Sequence, residues 1–147
     1  MAYRSQWFDD VLVVCWGTQC EEKDIAVITE MMIERHRATG QMAAMIALVS
    51  ERTQVPDASV RRAFGESTAR MADSFRCIIN VIEGTGIGHS IKVSVVTGIQ
   101  LFARQKHFYC RGSLEDTLIT KQPRELRVDG AQLLERIRRS GILTPPG

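Results

Sequence analysis

The sequence predicts an α/β sandwich: a mixed, largely parallel sheet, an N-terminal hairpin, and helices alternating with strands. Three observations carry this. Short apolar runs ("VLVVCW", "MAAMIALV", "CIINVI", "HFYC") alternate with longer stretches of helical periodicity, the pattern of strand–helix–strand units. "VLVVCW" is apolar at every position, which suits a strand covered on both faces. "YRSQWF" and "VLVVCWG" are separated only by Asp9-Asp10, two strand-like runs around two turn-formers.

Each element follows in order. In "TQCEEKDIAVITEMMIERHRATG", Thr18 and Glu21 have capping-box spacing. Acidic residues fill the first turn and Arg35, His36 and Arg37 the last, matching the helix dipole. Ile25, Ile28 and Met32 share a face, and Gly40 is a natural stop. "MAAMIALVS" reads as a buried strand. After "ERTQVP", Asp57 caps a second helix expected to run to about Arg76, with the stripe Val60, Phe64, Met71 and Phe75, weakened slightly by Gly65. "CIINVIE" is the next buried strand. Its Asn80 needs a hydrogen-bond partner if buried, and a satisfied core amide is expected.

The β-branched content of "GIGHSIKVSVVTGIQLFARQ" favours a strand. Its length, and Ile91, Val95 and Phe102 as an inward stripe, favour a helix, with Gly98 allowing close approach to the sheet. Helix is the expectation. "HFYCRG" is a fourth core strand, and "SLEDTLI" a short helix capped by Ser113. The character changes after Thr120, so the division expected is an α/β domain over 1–120 and an appendage over 121–147. In the appendage "KQPRELRV" reads as a linker and "DGAQLLERIRRSG" as a short amphipathic helix. Leu133, Leu134 and Ile137 lie on one side of it and Arg136, Arg138 and Arg139 elsewhere. Two readings stay open: the helix packs back on the domain, or those six residues dock on a partner or a membrane surface.

At 147 residues the chain can bury a full core without disulfides or metals. Hydrophobic content of 44% and charged content of 24% are ordinary for a globular protein. A net charge of +2 gives no electrostatic case for nucleic acid. The apolar runs are far shorter than the roughly 20 residues of a membrane span, and "MAYRSQWFDD" lacks the apolar core of a secretory signal. The cysteines, Cys15, Cys20, Cys77 and Cys110, are scattered, mostly inside strand-like runs, which reads as reduced thiols in a cytoplasmic protein.

The stretch richest in chemistry is "EGTGIGHS", where a strand hands over to a helix. Glu83, Gly84, Thr85, Gly86, Gly88, His89 and Ser90 are the candidate ligand or phosphoregulatory residues, since glycines and free helix N–H groups together favour anions. The dinucleotide pattern G-x-G-x-x-G fails, because the third glycine arrives one residue early. A P-loop fails because His89, not lysine, follows Gly88. A plain strand-to-helix turn is the alternative. Other constellations are thin. His107 and Cys110 are three apart on a strand and diverge. His89 beside Ser90 is no catalytic pair, and Asp9-Asp10 reads as a turn. Cys20 precedes a helix that would lower its pKa, but Glu21 and Glu22 oppose that. No catalytic centre, metal or cofactor is expected.

The order hairpin, helix, strand, helix, strand, helix, strand, helix resembles the STAS superfamily, the anti-sigma-factor antagonist fold, and especially its SEC14-related bacterial branch. "DDVLVVCWGTQCEEKDIAVI" is similar to that branch's opening, and "CIINVIEGTGIGHSIKVSVVTGIQLF" followed by "HFYCRGSLEDTLI" to its ending, over residues 1–120. The branch's Trp near the end of the last helix is absent. "EGTGIG" is also similar to the antagonists' Asp-Ser-Ser/Thr-Gly-Leu-Gly phosphorylation motif. Glu83 stands for the Asp, Gly84 replaces the first Ser, Thr85 takes the phosphorylated position, and Gly86, Ile87 and Gly88 match. It lies one strand–helix unit later than in the short antagonists. The resemblance implies a non-enzymatic, regulatory protein-interaction module in bacterial signalling, with protein partners that include a second copy of the chain. A nucleotide or an apolar small molecule, held by the loop or a core pocket, is the alternative ligand class.

Overall fold

An antiparallel hairpin opens the chain. In the computed structural model, which describes residues 3–103 and 107–144, β1 (Tyr3–Phe8) pairs with β2 (Val11–Trp16), from Tyr3 opposite Trp16 to Phe8 opposite Val11. Asp9 turns the chain with a φ of 56°, a left-handed conformation that Asp adopts more readily than most side chains. Then α1 (Glu22–Thr39), β3 (Ala43–Val49), α2 (Ala58–Arg70), β4 (Phe75–Ile82), α3 (Gly86–Ala103) and β5 (Phe108–Arg111) alternate, and α4 (Leu114–Ile119) and α5 (Gly130–Ser140) close the chain. The strands form one five-stranded sheet in the order β1-β2-β3-β4-β5, with every pair after the hairpin parallel. The α/β class and the mixed, largely parallel sheet are those the sequence predicts.

That order never reverses, and parallel crossovers share one hand, so all three crossover helices fall on the same face. There α1, α2 and α3 cover Leu12, Val14, Met45, Ala47 and Ile78. The opposite face, which carries Val11, Val13, Ile46, Cys77, Ile79 and Val81, has no crossover to cover it. The end of the chain does so instead: Leu114 and Leu118 of α4, Leu126, and Leu133, Leu134 and Ile137 of α5 belong to that cluster. β2 is buried at all six positions, as its unbroken apolar run requires.

Packing therefore corrects the division expected at residue 120. "KQPRELRV" is not a linker: Pro123 and Leu126 are buried, and the Gln122 side chain donates to the carbonyls of Leu126 and Val128. Arg76, 12% exposed, ties this segment to the sheet. Its guanidinium donates to the Glu125 carbonyl (2.7 Å) and the Met42 carbonyl (2.8 Å) and pairs with Asp10 (2.8 Å).

Helix boundaries hold in part. Gly40 ends α1 with a φ of 70°, its N–H on the His36 carbonyl, and the Asp57 and Ser113 side chains accept from Val60 and Asp116 N–H as expected of caps. The Thr18–Glu21 capping box does not form. α1 starts at Glu22 with Glu21 as N-cap and no side-chain bond, and the Thr18 carbonyl accepts from Gln54 N–H in a neighbouring loop. α2 stops at Arg70, not Arg76. Met71 caps it, and Phe75 and Arg76 already belong to β4, so the four-residue stripe spans two elements that share one core. α3 is a helix as expected, but rotated. Lys92 and Ile99 are buried and Ile91 is exposed, while a Cβ added at Gly98 would meet open space rather than the sheet. The side chain of Phe102 lies outside the described residues. Asn80 also departs from expectation: its Nδ2 is buried with no hydrogen-bond partner, a state that costs on the order of 1–3 kcal/mol.

Among the described residues no helix is long and apolar enough to cross a membrane, and no three His, Cys, Asp or Glu side chains gather as a metal ion would need.

Candidate functional site

The loop between β4 and α3 sits at the C-terminal end of the sheet, anchored by Glu83 N–H on the Val49 carbonyl (2.9 Å). Two of its three glycines are demanded by the backbone: Gly84 has φ 110° and Gly86 φ 83°. Gly84 also lies against the Glu51 side chain, whose Cγ would be 2.8 Å from an added Cβ. Gly88 has neither constraint. Thr85 projects between them, exposed, and among the described residues its hydroxyl has no hydrogen-bond partner, so it does not cap the helix. Ser90 turns back to the Gly86 carbonyl (3.2 Å). His89 is half-buried, with Nδ1 unpartnered.

This geometry suits an exposed hydroxyl better than a phosphate cradle. The Glu51 side chain lies against Gly84, and Glu83 is exposed beside it, so two acidic side chains stand at the loop. Lys92, 9% exposed, is committed elsewhere, with its Nζ on the carbonyls of Ser50 (3.0 Å) and Glu51 (3.1 Å). Because the strand order never reverses, the sheet also lacks the crevice at which doubly wound folds bind nucleotides.

Rotation of α3 creates a surface that the sequence reading missed. Ile87 (81% exposed), Ile91 and Leu101 (73%) stand out of the fold, with Ser94 and Gly98 between them. Positions 87, 91, 94, 98 and 101 repeat at intervals of four and three, a single seam along the helix. An open groove of about 900 Å³ runs beside it, bounded on the α2 side by Arg61 and Arg62. The signal was available, since α3 is apolar nearly all round and holds two competing stripes. Lys92 breaks the tie by reaching inward to the two carbonyls.

The expected docking residues of the C-terminal segment are placed differently. Leu133, Leu134 and Ile137 are buried against the sheet, which is the first of the two readings and corrects the second. Arg136 pairs with Asp9 (2.8 Å), Arg138 with Glu115 (3.1 Å) and Arg139 with Glu135. Arg138 and Leu134 come together with Glu83, Ser113 and Cys15 around a cleft of about 440 Å³ at the end of the sheet.

The remaining reactive residues stay apart. Burial pushes the thiols up: Cys15 to about 11, Cys20 and Cys77 to about 12, and Cys110 in the same direction. Cys20 is thus the reverse of a thiolate activated by a helix N-terminus. His36 Nδ1 lies 3.5 Å from Ser74 Oγ, and His107 Nδ1 lies 3.0 Å from Glu125 Oε1. Glu125 also accepts from the Tyr109 hydroxyl at 2.7 Å. That bond holds the Glu125 carboxyl below the usual range and, with burial, lifts the phenol to about 12. Cys20 lines a cavity inside the fold and Glu83 the cleft at the sheet's end, and neither is joined there by His36, His89 or Asp9.

No protein-family model matches the chain, and no curated protein sequence matches it either.

Proposed function

We propose that this chain is a non-enzymatic protein-interaction module that docks through the exposed face of α3, with Thr85 at the edge of that face as a phosphorylation switch. The observation that carries the reading is the seam Ile87, Ile91, Ser94, Gly98, Leu101: large aliphatic side chains standing in water on a helix whose one charge, Lys92, is turned inward. Soluble surfaces rarely leave such a strip unpartnered. The element order also agrees with the STAS resemblance, whose members work by exchanging protein partners.

The partner is a second copy of the chain. About a two-fold axis at Ser94, antiparallel seams set Ile91 over Gly98 of the second copy and Ile87 against its Leu101, large opposite small at the centre and apolar at the ends. A two-fold contact of this kind is self-complementary. Charge supports it. Among the described residues, Arg62 beside the groove and Glu66 one turn further along α2 have no ion pair, and antiparallel packing brings each toward the other's counterpart. Phosphate on Thr85 would place about −2 charge at one end of the seam, next to the Glu51 and Glu83 carboxylates, and so opposes docking.

Sedimentation equilibrium of the full chain tests this. A dimer is expected, with dissociation raised at least about tenfold by Ile87→Asp and by Thr85→Glu, and unchanged by Thr85→Ala. A monomer at every concentration, or a dimer indifferent to Ile87→Asp, would overturn the reading.

A further inference from the structure

At the C-terminal ends of β2, β3, β4 and β5, where α4 and α5 meet over the second face of the sheet, a cleft of about 440 Å³ stays open. Its apolar wall is made by Cys15, Leu48 and Leu134, all buried, and by Leu143, which is exposed. The polar groups around it differ in how they are used. Arg138 and Glu115 neutralise each other at 3.1 Å. The Ser113 hydroxyl accepts from Asp116 N–H and the Ser50 hydroxyl from Arg52 N–H, both at 3.2 Å. Glu83 is exposed, and among the described residues its carboxylate has neither an ion pair nor a hydrogen bond. Its charge is felt at the wall. Burial first, and then Glu83, push the Cys15 thiol up to about 11, and Arg4, which donates to the Gly141 carbonyl, offsets only part of that.

The lining residues therefore leave one negative charge uncompensated beside an apolar wall. A carboxylate so placed favours a cation that also has hydrocarbon to bury. A bare metal ion would gain nothing from the wall, and an anion would be repelled. An apolar concavity of about 300–1,000 Å³ with a small number of placed polar groups is the usual form of a small-molecule site. We infer that this cleft binds a small organic ammonium compound, its nitrogen on the Glu83 carboxylate and its hydrocarbon part against Leu48, Leu134 and Leu143. The cleft owes nothing to a reversal of strand order, since the C-terminal helices build it. It shares no residue with the α3 seam, and neither proposal rests on the other.

Cyclohexylamine, cyclohexanol and cyclohexanecarboxylate share one ring and differ in charge, and near pH 7 the first is a cation as a lysine side chain is. Each is titrated into the full chain, followed by the backbone amide resonances of ¹⁵N-labelled protein. Saturable binding of cyclohexylamine is expected, about fivefold tighter than the alcohol, as an ion pair partly open to water provides. Raising salt from about 0.05 M to about 0.5 M should narrow that gap. The carboxylate should not saturate. The Glu83, Gly112 and Ser113 amides should move and those of the α3 seam should stay still. Glu83→Gln, at an exposed position, should keep the fold and bring the amine down to the affinity of the alcohol. No saturable binding of the amine, an alcohol or carboxylate that binds as tightly, or a preference that survives Glu83→Gln would overturn the proposal. The three probes decide the matter in the unaltered protein.

Discussion

Replacing Ile137 by alanine should destabilise the whole molecule, not only its C-terminal helix. Ile137 has no exposed surface and sits in the cluster that covers one face of the sheet. The change removes three carbons, worth about 2.4 kcal/mol of transfer at about 0.8 kcal/mol each. A void of roughly 50 Å³, left between α5 and the strands, adds about 1 kcal/mol. The loss is therefore about 3–4 kcal/mol, a large fraction of the roughly 5–15 kcal/mol that holds an ordinary domain together. At this chain length that corresponds to a fall in Tm of about 10–15 °C. Thermal unfolding by circular dichroism measures it, with Arg139→Ala as the control. Arg139 is exposed and pairs only with Glu135 on its own helix, so its loss should stay within about 0.5 kcal/mol. Were the segment from residue 121 a mobile appendage, Ile137→Ala would behave like the control. A Tm within about 2 °C of wild type would refute the account of the second core layer.

Two further outcomes follow from the geometry. Gly84→Ala and Gly86→Ala should each cost about 1–2 kcal/mol because both backbones have positive φ, whereas Gly88→Ala, in open space inside a helix, should stabilise by about 0.5–1 kcal/mol; urea midpoints for the three variants check the signs, and three equal values would contradict the loop described. For the Tyr109–Glu125 bond, the carboxyl is lowered on folding, so its contribution is present above the ordinary glutamate range and lost as pH falls through the folded value. The phenol is raised to about 12, so its contribution is present below pH 10 and lost between 10 and 12. The urea midpoint of Tyr109→Phe should therefore lie below wild type in mid-range and converge with it at both extremes, and parallel pH profiles would count against the bond.

The sequence by itself determined the class of fold, because that information is local. A six-residue, β-branched apolar run such as "VLVVCW" beside a turn signal reads as a strand covered on both sides, and Asp57, Ser113 and Gly40 mark helix ends through bonds to neighbours a few residues away. Thr18 and Glu21 had the right spacing for a cap, yet Thr18 bonds through its carbonyl to a loop more than thirty residues away, and the helix begins after Glu21. The same holds for function. "EGTGIGHS" announced a tight, exposed turn and its threonine, but not that Glu51 would close over Gly84. Only the tertiary structure decided which side of α3 faces water, since an all-round apolar helix has no preferred face until Lys92 finds two carbonyls. The partnerless amide of Asn80 and the fate of the C-terminal helix were decided there too. A sheet whose strands follow in order puts every crossover helix on one side, and the apolar face left bare is long-range information that no window of sequence contains. Leu126, Leu133, Leu134, Ile137 and Ile142 are buried because that face had to be covered.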